Sequence, residues 1–117
     1  MHQIITNNPL AKDVEKEIIL VDGSFREVLT TVRDLIHKGH RLLTHPLPAS
    51  SRMFLSPVRS VVISKETKDL DEFSATMISE SIELYDKHLG NRYIDEEHRK
   101  DYEQIDLDLL HSALDEL

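Results

Sequence analysis

The residues best equipped for chemistry in this 117-residue chain fall in two short polar stretches. One is Asn7-Asn8, directly ahead of Pro9, and the other runs from Thr44 and His45 to Ser50, Ser51 and Arg52. An imidazole, several hydroxyls and a planar guanidinium within one loop can hold a carboxylate or a phosphate. The two asparagines precede an expected helix start, where unpaired N–H groups and a partial positive charge favour anions. Asn serves equally well there as a cap and a turn residue, and a Ser/Arg loop equally well as a solvated connection. Asn7, Asn8, Thr44, His45, Ser50, Ser51 and Arg52 are the expected ligand-binding set.

Catalytic signatures are incomplete. Ser50 or Ser51 with His45 and Asp22 is the one nucleophilic combination available, and no Gly-x-Ser-x-Gly elbow supports it. Neither a phosphate-binding Gly-x4-Gly-Lys loop nor a Gly-x-Gly-x-x-Gly turn occurs. His37, His40 and His45 suggest a metal, but Gly39 should break the helix between the first two. Asp95-Glu-Glu-His98 and Asp108-Leu-Leu-His111 each set a carboxylate three residues before a His, a spacing that di-iron bundles use. On one helix these pairs stand thirteen residues apart, roughly 20 Å at ~1.5 Å per residue, too far to share an ion. With no Cys, thiolate metal sites, disulfides and cysteine catalysis are excluded. No metal and no cofactor is expected.

The elements that must position these residues are legible in outline. Residues 3–6 read as a strand stopped by Asn7-Asn8-Pro9, and a short helix capped by Asn8 should follow to about Lys16. The aliphatic run at 17–21 suits a strand covered on both faces. Ser24 and Glu27 form a capping-box pattern, and Phe25, Val28, Leu29, Val32, Leu35 and Ile36 make one apolar helical stripe closed by Gly39. Residues 41–44 and 58–63 read as two more strands, separated by a long irregular loop holding three of the four prolines. A helix capped by Asp69 or Asp71 should bury Phe73, Met77, Ile78, Ile82, Tyr85 and Leu89 and stop at Gly90. A last helix spans roughly 95–116, with Tyr102, Ile105, Leu109, Leu110, Ala113, Leu114 and Leu117 as its apolar positions.

Alternation of this kind predicts a single α/β domain over 1–117. The expected architecture is a small three-layer sandwich: a four-stranded, mostly parallel sheet in the order 2-1-3-4, helices on both faces and a helical C-terminal end. The direction of the fourth strand is left open by the long loop before it. Ligands of open α/β sheets bind beyond the carboxyl ends of the strands, so the seven polar residues should converge in one cleft there.

Charge and composition narrow the partners. Residues 1–65 hold nine Lys/Arg against six Asp/Glu, and residues 66–117 five against sixteen, for a net charge of −8. An acidic half of this kind repels phosphate backbones and argues against nucleic-acid binding. No apolar run approaches the ~20 residues of a membrane span. Met1 to Leu10 has no signal-peptide pattern, so a cytoplasmic protein is expected. The broad apolar face of the last helix predicts a homodimer that uses it.

Three segments resemble one family. Ile-Thr-Asn-Asn-Pro-Leu at 5–10, Arg-Asp-Leu-Ile-His-Lys-Gly-His-Arg-Leu-Leu-Thr-His-Pro-Leu at 33–47 and Ser-Pro-Val-Arg-Ser at 56–60 are similar to the GrdX family. These are small bacterial proteins encoded beside glycine, sarcosine and betaine reductase components in amino-acid-fermenting anaerobes. The resemblance covers roughly residues 3–64 and implies a cytoplasmic accessory protein with no assigned reaction and no established catalytic residues. Three functions follow as expectations. The first is a non-catalytic accessory protein that binds a small anionic metabolite beside amino-acid reductase components. The second is a small enzyme on such a metabolite, with His45 as acid/base and Arg52 as anchor. The third is an interaction module built on the acidic C-terminal helices.

Overall fold

Strand β1, His2–Thr6, is the centre of the sheet, and its two isoleucines show how the layers divide. Successive side chains of a strand point to opposite faces. Ile5 enters a core built with the first two α-helices, and Ile4 enters a second core against the third. The computed structural model describes residues 2–14 and 16–117. β2, Glu17–Leu20, pairs with β1 in parallel, and β3, Ser60–Ser64, pairs with it antiparallel. β3 alternates as β1 does, sending Val61 and Ile63 to the first core and Val62 to the second.

The helices are α1, Phe25–His37; α2, Glu72–Leu89; and α3, Arg99–Glu116. The capping box of α1 is formed: Ser24 Oγ accepts from the Glu27 amide at 3.1 Å, and Glu27 Oε1 accepts from the Ser24 amide at 3.3 Å. Val28, Leu29, Val32 and Ile36 are fully buried, each contributing about 1.5–3 kcal/mol of burial. α1 packs on α2 and both cover the first face of the sheet, where Phe25 and Tyr85 lie 4.6 Å apart between ring centroids. α3 covers the other face, together with a 3-10 turn over Pro9–Asp13. Gly39 leaves α1 at φ +110°, and a side chain there would strike the Lys68 carbonyl. No helix among the described residues is long and apolar enough to cross a membrane.

The sheet corrects the expected one. It has three strands in the order β2-β1-β3 and is mixed, not four mostly parallel strands. Residues 41–44 contribute an isolated antiparallel bridge, Leu42 to Ile63, in place of a parallel strand. Side-chain oxygens displace the ladder there. Leu43 and Thr44 amides both donate to the Val62 carbonyl (2.9 and 3.2 Å), Thr44 Oγ1 accepts from the Val62 amide, and the Leu42 amide turns to Ser74 Oγ. A parallel return would need a crossover over the face of the sheet, usually a helix. Residues 45–59 contain only a 3-10 turn, Ser51–Leu55, and bring the chain back antiparallel.

Two smaller expectations also change. The first helix is the 3-10 turn, ending at Asp13, and its expected extension to Lys16 crosses Glu15, outside the described residues. The last helix divides into a 3-10 turn, Glu96–His98, and α3.

Candidate functional site

The antiparallel course of β3 sets its beginning beside the end of β1. Thr6 pairs with Ser60, and their hydroxyls lie 2.7 Å apart. Arg59, immediately before β3, therefore arrives at the sheet edge next to Asn7 and Asn8. Its amide donates to Asn7 Oδ1 at 2.8 Å. α3 crosses the same edge and delivers Asp106, whose side chain lies between Asn8 and Ser60.

Asp106 is 2% exposed and accepts three hydrogen bonds from neutral donors: the Ser60 amide on Oδ1 at 2.9 Å, and Ser60 Oγ (2.6 Å) and Asn8 Nδ2 (2.9 Å) on Oδ2. Arg59 is 8% exposed and gives Nε to the Pro46 carbonyl at 2.9 Å and Nη2 to the His45 carbonyl at 2.8 Å. Burial pushes its pKa down, and the Asp106 charge partly offsets that. The guanidinium stays protonated all the same, as arginine does in proteins. The two charges do not form a direct ion pair among the described residues, so each is solvated by dipoles instead of by the other.

Both line a cavity of about 460 Å³ between α3 and residues 44–49. Thr44, His45 and Ser60 complete its polar side, and Leu47, Leu109, Leu110 and Ala113 its apolar side. The volume falls within the range of small-molecule sites.

The seven residues expected to bind ligand divide three ways. Thr44 and His45 line the cavity. Asn7 and Asn8 stand behind it, with both N–H groups and the oxygen of each amide engaged by protein partners. Asn7 ties Gly23, Pro57 and Arg59 together, and Asn8 ties Leu10, Glu103 and Asp106. Ser50 and Arg52 line a separate, shallower depression with Met53, Tyr102 and Ile105. Ser51 is exposed at the start of its 3-10 turn and borders neither.

Arg59, Ser60 and Asp106 were not among the residues expected from sequence, although each carries a signal. Arg59 and Ser60 interrupt an otherwise apolar strand. Asp106 lies four residues before Leu110 and seven before Ala113, in the buried stripe of its helix.

Asp95, Glu97 and His98 bring ligand atoms within 4.8 Å of one another at the surface. Two of the three already serve each other. His98 Nδ1 is 2.8 Å from Asp95 Oδ2, a contact that holds the carboxyl below its usual range and raises the imidazole. The Asp95 side chain also accepts from the His98 amide, the capping contact that opens the 3-10 turn ahead of α3.

The GrdX-like protein family model matches residues 3–115 of the chain. No curated protein and no solved structure matches it.

Proposed function

The chain belongs to the GrdX-like protein family, and on that premise we propose that it is a cytoplasmic, non-catalytic accessory protein of an amino-acid reductase system that binds a small anionic metabolite beside Arg59. One observation carries the ligand reading: a nearly buried guanidinium borders an open cavity and is held by two carbonyls, with no carboxylate on it among the described residues. A cation in such a place attracts a carboxylate or phosphate strongly, because little water competes for it. The family supplies the reductase context.

We extend the reading to a homodimer through α3. That helix buries Asp106 and Leu110, while Ile105, Leu109 and Leu117 are 43–50% exposed.

Native mass spectrometry of the purified protein, with thermal-shift titrations in acetate and inorganic phosphate, tests the ligand reading. A bound small molecule or an anion-dependent rise in Tm is expected, and Arg59→Gln should abolish the rise measured from its own baseline. No bound species and a Tm indifferent to every anion would sink it. Co-elution with purified reductase components tests the context.

A further inference from the structure

The composition of the Arg59 cavity narrows the class of anion. Its polar end has few donors to give. Nε and Nη2 of Arg59 are taken by the carbonyls of Pro46 and His45, and Nη1 has no partner among the described residues. No sealed side-chain nitrogen or oxygen among them lacks a partner, so Nη1 is open to solvent on a residue that borders the cavity. Thr44 Oγ1 accepts the Val62 amide, and its own hydrogen has no acceptor among the described residues. His45 Nδ1 sits 3.0 Å from the Leu47 amide and 3.1 Å from the Leu47 carbonyl, which leaves Nε2 as the ring nitrogen without a partner among the described residues. The two free donors, Arg59 Nη1 and the Thr44 hydroxyl, equal in number the two oxygens of one carboxylate. A phosphate brings more oxygens and a second negative charge, and Asp106 in the same wall opposes that charge.

The rest of the wall is hydrocarbon. Leu47 closes the loop side, and Leu109, Leu110 and Ala113 run along α3. A ligand that is all charge would leave this surface wet, whereas an alkyl chain would dry it. Resting on the anion-binding reading above, we infer that the cavity takes a short straight-chain monocarboxylate, its carboxylate on Arg59 and its methylenes along Leu109, Leu110 and Ala113.

The probes are sodium acetate, butyrate and hexanoate, with inorganic phosphate as the contrasting anion, titrated into the full chain by heteronuclear NMR. Affinity should rise about fourfold for each added methylene, the transfer of one CH₂ from water. Ala113→Leu fills the apolar end without touching Arg59. It should weaken hexanoate by about tenfold or more while leaving acetate within about twofold. Arg59→Gln should weaken all three carboxylates. Affinity flat with chain length, or phosphate binding as well as hexanoate, overturns the monocarboxylate assignment and leaves an anion site standing. Shifts absent for every carboxylate and for phosphate overturn both.

Discussion

Ser60 holds Asp106 by both carboxylate oxygens, its amide donating to Oδ1 at 2.9 Å and its hydroxyl to Oδ2 at 2.6 Å. One residue at the start of β3 thereby fixes the rotation of α3 over the sheet. Removing the carboxylate leaves the Ser60 amide and one N–H of Asn8 without an acceptor and removes the charge that offsets the burial of Arg59. Asp106→Ala should cost about 3–5 kcal/mol, well above the cost of a surface substitution. Urea denaturation of the two proteins measures it, and a difference below about 1 kcal/mol would mean that the network is incidental.

Arg26 and Asp86 form a two-pronged pair between α1 and α2, at 2.8 and 3.0 Å. The hydrogen bond from Arg26 holds the Asp86 carboxyl below its ordinary value of 3.8. A depressed carboxyl stabilises the fold above its unfolded pKa, and the contribution fades as pH falls through the folded one. Both side chains are about half exposed, so the pair contributes only about 0.2–1 kcal/mol. Arg26→Met should lose that amount at pH 7. The gap between the two proteins should close as pH drops below about 3.8. Stability curves at pH 7 and at the lowest pH where both remain folded decide it.

Gly39 is needed for two separate reasons, its positive φ and the Lys68 carbonyl against its α-carbon. The Lys68 amide also donates to the Gly39 carbonyl at 3.0 Å, so the contact is fixed from both sides. Gly39→Ala should destabilise by about 1–3 kcal/mol. Gly23 has no positive φ and meets only the movable end of the Glu27 side chain, so Gly23→Ala is the milder comparison. Thermal melts that rank the two the other way would refute the strain argument.

Self-association through α3 should be visible by light scattering as a mass near twice 13.5 kDa at micromolar concentration. Leu109→Asp should restore the monomer with the fold intact. α3 carries Asp101, Asp108 and Asp115, so two copies repel electrostatically and added salt should strengthen the dimer. A concentration-independent monomer mass in both low and high salt would end the idea.

Helix content was the most legible part of the fold because its signals are local. The Ser24–Glu27 box and the stripe from Phe25 to Ile36 specify α1 without help from elsewhere, and only Leu35 of that stripe is half-buried. On the other two helices the expected face holds in part: Ile78, Ile82 and Tyr85 of α2 and Leu110 of α3 are buried. Phe73, expected in the core, is 72% exposed, because the buried stripe of α2 runs through Ser74, Ile78, Ser81, Ile82 and Tyr85. On α3 the expected Ile105 and Leu109 are 43% and 45% exposed, and the buried line joins the expected Leu110 to Asp106. In both cases polar residues occupy the buried line: serines in α2 and an acid in α3. An apolar moment cannot see a polar residue that is buried because it is hydrogen-bonded.

The same blindness explains the site. Sheet-edge geometry points to Asn7, Asn8, Thr44, His45, Ser50, Ser51 and Arg52 alike. Arg59 and Asp106 read as surface charges until a long-range partner is known. The direction of β3 was beyond local signals as well, since it depends on the route of residues 45–59.

Asn8 and Asp106 are 98 residues apart in sequence and 2.9 Å apart in space. During synthesis β1 leaves the ribosome long before α3 does, and domains of this kind complete only when their distant segments meet. Until then the side-chain amide of Asn8 and the amide and hydroxyl of Ser60 lack their Asp106 partner, and Ile4 and Val62 of the second core lack the cover of Leu110 and Leu114. Closing so long a loop adds little entropic cost beyond that of a shorter one, because the penalty grows only logarithmically. α3, translated after all three strands, is thus the helix that seals the second core and the cavity together. A nascent chain stalled before residue 106 would have neither.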